Sequence, residues 1–257
     1  MKKLLTFALL AAGCGSSYSP PPPTQVTPNA SITGQYNLVL TSTNGRGTTN
    51  IYTNFTQNGT ALTGEATTLV CPANDLSTCQ GDNPPLVSIS PAGTVHGANV
   101  SIVISFPASA GPDTITLVGT AKGPDLSGTY TDNLGDTGIW TASAALLFNG
   151  TYSGTYNSTS NPLPITPSIS ISLLKAANLN LTGTATITSS PCISSLTFTG
   201  RAVGGAFTLT DAANKASFIA LPSGNDYKFN YTFDPTAAHC AGDSGRGVVT
   251  NASPWDY

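Results

Sequence analysis

From Ile32 onward, apolar and polar residues alternate with a period of two along most of the chain. Ser168-Ile169-Ser170-Ile171-Ser172-Leu173 is the strictest run. Val100, Ile102, Ile104 and Phe106 share one face of another; Tyr227, Phe229, Tyr231 and Phe233 share a third, with Lys228, Asn230 and Thr232 opposite. This spacing predicts strands with one buried face. Asn58-Gly59, between two such runs, predicts a hairpin. Runs and turns together give about eight short strands in each half, as in an antiparallel meander.

Composition agrees with an all-β reading. Glu65 is the only glutamate, and Thr, Ser, Asn and Gly dominate, which disfavours helices and suits strands joined by polar turns. Charge excludes some partners. If Lys2 and Lys3 leave with a leader, seven of the nine basic residues remain against twelve acidic ones, a net charge near −5. A mildly acidic chain without a basic run does not suit nucleic acid or anionic lipid headgroups.

The two halves repeat one another in order. Gly34-Gln35-Tyr36-Asn37 matches Gly154-Thr155-Tyr156-Asn157, and Leu62-Thr63-Gly64-Glu65-Ala66 matches Leu181-Thr182-Gly183-Thr184-Ala185. Val95-His96-Gly97-Ala98 matches Val203-Gly204-Gly205-Ala206, and Thr129-Tyr130-Thr131 matches Asn230-Tyr231-Thr232. Gly135-Asp136-Thr137-Gly138 matches Gly242-Asp243-Ser244-Gly245. The order implies two tandem modules, 31–147 and 148–257.

In the second half the first, third and seventh connections are long. An up-and-down meander gathers odd connections at one end, so Cys192 in the third and Cys240 in the seventh would meet at one mouth. The expected bridges are Cys71–Cys79 and Cys192–Cys240, each worth about 2.5–4 kcal/mol on chain-entropy grounds. Closure into a barrel would also remove exposed sheet edges. The expected architecture is therefore two small up-and-down barrels, similar in topology alone to lipocalins and avidins, with β-sandwiches as the alternative.

The first fourteen residues fix an expected location. Met1-Lys2-Lys3 is basic, Leu4 to Ala12 is apolar but too short to span a bilayer, and small residues precede Cys14; this is the form of a secretory signal. Ala11-Ala12-Gly13-Cys14 resembles the lipobox of bacterial lipoproteins, with Ala11 where that family usually has Leu. The resemblance implies a signal peptide over 1–13 and lipid attached at Cys14. Gly15 in place of the inner-membrane-retaining aspartate favours the outer membrane. Residues 14–30 are a tether, with Pro20 to Pro23 extended as polyproline II.

Candidate chemistry is sparse. Thr236-Ala237-Ala238-His239-Cys240 and Gly242-Asp243-Ser244-Gly245 resemble the histidine and serine motifs of trypsin-like serine proteases. Here they share one connection, and Arg246 stands where the serine motif continues with glycine, so a turn at a bridged loop is preferred. Asp136-Thr137-Gly138 and Asp243-Ser244-Gly245 resemble the paired motifs of aspartic proteases, which oppose two carboxylates to activate water. Glycine precedes each aspartate where that family has an apolar residue, and Ile139 and Arg246 follow where it has Ser or Thr. Asp136 and Asp243 are the catalytic candidates of this alternative hydrolase reading.

No cofactor is expected and no metal, since His96 and His239 lack zinc spacing and Asp125, Asp132 and Asp136 match no calcium loop. The preferred function is binding or surface interaction. Its partners would be the membrane, through the lipid, and either a small apolar ligand lined by Tyr227, Phe229, Tyr231 and Phe233 or a surface partner.

Overall fold

The structure is a computed structural model, described here over residues 28–69, 86–108, 113–145, 149–158, 166–176, 179–224 and 226–251. The expected signal peptide, Cys14, most of the tether and the Cys71–Cys79 pair lie outside these residues. No α-helix occurs among the described residues.

The first half contains β1 (Gly34–Ser42), β2 (Thr48–Asn58), β3 (Ala61–Leu69), β4 (Leu86–Ile89), β5 (Ala92–His96), β6 (Asn99–Ser105), β7 (Thr114–Lys122), β8 (Asp125–Asp132) and β9 (Thr137–Ala144). Both β4 and β5 pair with β3, one along Ala66–Leu69 and the other along Ala61–Thr63. They occupy one position in the sheet, interrupted at Ser90-Pro91, where proline cannot donate to the ladder. The ring closes where β1 pairs with β9, from Tyr36↔Ala144 to Ser42↔Gly138.

The second half contains β10 (Gly150–Ser158), β11 (Ser168–Lys175), β12 (Asn180–Thr188), β13 (Ser195–Val203), β14 (Ala206–Asp211), β15 (Ala216–Ser223), β16 (Asp226–Phe233) and β17 (Ser244–Asn251). They form a closed barrel, sealed by β10 on β17 from Tyr152↔Asn251 to Ser158↔Gly245. The chain is thus two closed antiparallel barrels of eight strand positions in tandem. Closure leaves no place for the sandwich alternative.

Period two decides what each barrel buries. On β11 the isoleucines and Leu173 point inward while Ser168, Ser170 and Ser172 point out. Leu38, Ile51, Ile102, Leu117 and Trp140 fill the first barrel. Aromatic rings pack the second, with Phe198–Phe218 centroids 4.9 Å apart and Phe207–Tyr227 5.2 Å apart. Cys192 and Cys240 are joined as a disulfide, Cα–Cα 5.4 Å, at the end where the long odd-numbered connections collect.

Closure registers correct two parts of the repeat. Tyr36 and Tyr152 stand at the same place on the seam, six residues before Ser42 and Ser158. Tyr36 therefore corresponds to Tyr152, and the expected match to Tyr156 is four residues out. The cause is local: β10 carries Gly-Thr-Tyr twice, at Gly150 and Gly154, and four residues keep a side chain on the same face. The hairpin turns likewise align Gly97-Ala98 with Gly204-Gly205, one residue from the expected match. Tyr130/Tyr231 and the two Gly-Asp turns align as the sequence indicates.

One cross-strand pair is reversed between the barrels. Gly128 on β8 faces Trp140 on β9, whereas Phe229 on β16 faces Gly247 on β17. The bulk enters the core from the last strand in one barrel and from the penultimate strand in the other. A Cβ on Gly247 would lie 2.4 Å from the Phe229 ring, and one on Gly119 2.8 Å from Trp140. Each large ring needs its glycine.

Candidate functional site

The paired aspartates hold strands together. Asp136 accepts hydrogen bonds from Ser42 Oγ at 2.7 Å and Tyr130 Oη at 2.9 Å. Asp243 accepts from Ser158 Oγ and, at 3.1 Å, from Tyr231 Oη. The same three residue types thus link the first strand of each barrel to its penultimate strand, across the closing seam. The glycine two places on completes the device: a Cβ at Gly138 would lie 2.5 Å from the Tyr130 ring, and one at Gly245 2.8 Å from Tyr231.

Burial alone would raise the Asp136 carboxyl, but the bonds from Ser42 and Tyr130 outweigh it and leave its pKa below the ordinary value. Burial, then the neighbouring Asp136 carboxylate, pushes the Tyr130 phenol up to about 12. Tyr231 is raised by burial and by Asp243.

This corrects the hydrolase candidates. An aspartic protease opposes two carboxylates across a cleft, whereas Asp136 and Asp243 each hydrogen-bond within their own barrel. His239 is exposed on its loop while Ser244 is buried at the start of β17. Asp132 is occupied by the backbone N–H groups of Leu134 and Asp136. Among the described residues no cluster of His, Cys, Asp or Glu could hold a metal.

The interior of the second barrel is tightly packed. Tyr227, Phe229, Tyr231 and Phe233 are all buried and belong to one packed cluster with Phe207, Phe218 and Tyr152. Burial raises the Tyr227 phenol, and that of Tyr152 to about 12. At the disulfide-bridged mouth a cavity of about 10 Å³ remains, bordered by Phe229, Tyr231 and Phe233 together with Tyr156, Ile193 and Asp243. That is room for about one water molecule. The four aromatics are core, and the space that three of them border is too small for an apolar ligand.

A larger space lies outside, where the barrels meet. Tyr52 and Leu69 project from the outer wall of the first barrel and pack against Ala206, Ile219 and Leu221 on the outer wall of the second. Tyr52 is only 2 % exposed although its strand neighbours Ile51 and Thr53 occupy the opposite face. The β13–β14 turn reaches the backbone of β2: a Cβ at Gly204, whose φ is +56°, would fall 1.9 Å from Thr53 N. Only glycine fits that approach and that backbone.

Beside this contact is a groove of about 470 Å³, lined by Asn54, Thr56, Thr63, Glu65, Leu179 and Arg201, with Gly64. Arg201 on β13 bridges to Glu65 on β3. Both side chains stay about half exposed, at 48 % and 56 %. Leu179 holds a φ of +67°, a left-handed conformation costing about 1–3 kcal/mol for a side chain of this kind. Its carbonyl accepts from Ala202 N and its own N–H donates to Ala176 O.

Cross-strand rows explain the polarity of this wall. Gln35, Asn54 and Glu65 form one row over β1, β2 and β3, and Asn37, Tyr52 and Thr67 form the next. The first row runs into the groove, and the second lies beside the barrel contact. Both amide atoms of Gln35, Asn37 Oδ1 and Thr67 Oγ1 are buried and have no hydrogen-bond partner among the described residues.

The sequence reading missed this junction, though a signal was present. Phe218-Ile219-Ala220-Leu221 and Ile51-Tyr52 break the alternation with consecutive apolar residues, the mark of a strand covered on both faces.

Fold and site together define a tandem of closed barrels with a polar groove at their junction. No family model matches the chain, and no curated protein does. Solved structures with some likeness include a protein of unknown function from the DUF3598 family of Nostoc punctiforme, 8 % identical, with a TM-score of 0.30 and coverage of 86 % of this chain and 96 % of that one. Kievitone hydratase from Nectria haematococca is 10 % identical, TM-score 0.24, covering 90 % and 93 %. Burkholderia oklahomensis agglutinin is 12 % identical, TM-score 0.18, covering 85 % and 84 %.

Proposed function

We propose that the chain is a lipid-anchored envelope protein that binds its partner on the outer wall, in the groove between the barrels. The observation that carries this reading is the contrast in space. The interior cavity measures about 10 Å³, and the junction groove about 470 Å³, within the size range of ligand sites. Anchorage rests on the residues before Cys14: lipid there, followed by a proline-rich tether, would hold the barrels off the membrane with the groove open. An outer-membrane location follows from Gly15.

Two measurements test the two parts. Cys14→Ala in the full-length chain should move the protein from the membrane fraction to the soluble fraction; unchanged membrane association refutes the anchor. A photo-reactive residue at Thr63 should trap a partner in intact cells, and Arg201→Ala should reduce that adduct. Equal trapping from Thr129, on the outer wall of the first barrel away from the groove residues, refutes the groove.

A further inference from the structure

We infer that the groove takes a neutral, hydroxyl-rich chain, an oligosaccharide; this rests on the binding reading above and adds the ligand class. Glu65 and Arg201 cancel each other across the groove, so a charged ligand gains one and is repelled by the other. An apolar ligand would strand Asn54, Glu65 and Arg201 out of water without partners. A sugar hydroxyl both donates and accepts. The half-exposed carboxylate can accept from two neighbouring hydroxyls while the guanidinium donates to them, without breaking the pair. Asn54 offers both functions on one planar group, and Thr56 and Thr63 add hydroxyls.

A further feature points the same way. Beyond Arg201, the second barrel continues as rows of uncharged hydroxyls. Thr182, Thr199 and Thr210 lie side by side on β12, β13 and β14, and Thr184 faces Thr197. The first wall presents Thr56 opposite Thr63. Hydroxyl rows on both walls favour a chain of several sugar units over a single one.

The test is NMR titration of the full-length mature protein in detergent micelles with cellohexaose, maltohexaose and chitohexaose, and with hexagalacturonate as the charged comparison. Vesicles bearing digalactosyl diacylglycerol, in a parallel arm, distinguish a lipid headgroup from a free chain. At least one neutral probe should shift Asn54, Thr63 and Arg201, and hexagalacturonate should bind about tenfold more weakly or worse. Arg201→Ala should weaken neutral binding by about tenfold, and the near-isosteric Thr63→Val by a smaller factor. If hexagalacturonate alone shifts the groove, the ligand class falls and the groove stands. If every probe leaves the groove signals unmoved, the saccharide inference is overturned. Shifts confined to residues elsewhere overturn the class and the groove together.

Discussion

Removing the Asp136 carboxylate should cost the first barrel about 3 kcal/mol. Asp136→Ala deletes the acceptor for Ser42 and Tyr130, at 2.7 and 2.9 Å. A hydrogen bond to an ionised group is worth about 1.5–3 kcal/mol net, and a buried donor left unpaired costs about 1–3 kcal/mol. The two bonds are one network, so the full sum is not expected. Tyr130→Phe removes one of them and leaves the carboxylate with Ser42, so about 1.5–2 kcal/mol is expected.

The assay is urea unfolding followed by tryptophan fluorescence. Trp140 is buried in the first barrel, and replacing Trp255 by Phe leaves it the single tryptophan. A loss below about 0.5 kcal/mol for Asp136→Ala, the range of an ordinary surface change, would refute the seam role.

The pH profile supplies a check of sign. A carboxyl whose pKa falls on folding, as that of Asp136 does, stabilises the fold above its unfolded value near 4 and loses this as pH drops through the folded value. Tyr130, pushed up to about 12, contributes in full below about pH 10 and loses its contribution as pH climbs toward 12. Asp136→Asn should therefore flatten the acid limb. An unchanged acid limb would contradict the assigned direction.

Other predictions follow from the same geometry. Gly245→Val should prevent the second barrel from closing, since a Cβ there meets Asn157 O at 2.1 Å; soluble protein with native circular dichroism would contradict this. Reducing the Cys192–Cys240 bridge, which spans 48 residues, should lower stability by about 4 kcal/mol, read as a fall in the urea midpoint of Cys192→Ser. Tyr52→Ala should uncouple the barrels, costing about 2–4 kcal/mol of packing and splitting the calorimetric transition in two. A single transition at a lower temperature would place that coupling elsewhere.

Much of the architecture was legible because strand periodicity is a local property. Ser168 to Leu173 states its inward face in six residues, and the lengths of the odd connections state which end they share. Register was less legible, because a repeated Gly-Thr-Tyr on β10 offers two matches to Gly34 that only the closing seam separates. The roles of Asp136 and Asp243 were hidden for a related reason: their triplets carry a catalytic pattern, and only three-dimensional partners distinguish a seam anchor from a water-activating pair. The groove was the hardest to read. Asn54, Glu65 and Arg201 are unremarkable outward-facing residues in sequence, and they border one groove only because Tyr52 and Ile219 bring two outer walls together.

The reversed pair, Trp140 over Gly128 against Phe229 over Gly247, limits how the two halves can be recombined. Grafting the final strand of the first barrel into the second would set an indole against a phenyl ring in space made for one of them. The opposite graft would set Gly247 against Gly128 and leave a hole where the Trp140 indole had been. Parts are therefore interchangeable only as matched strand pairs or as whole barrels, and a shuffling library cut between the last two strands should yield almost no folded chimeras.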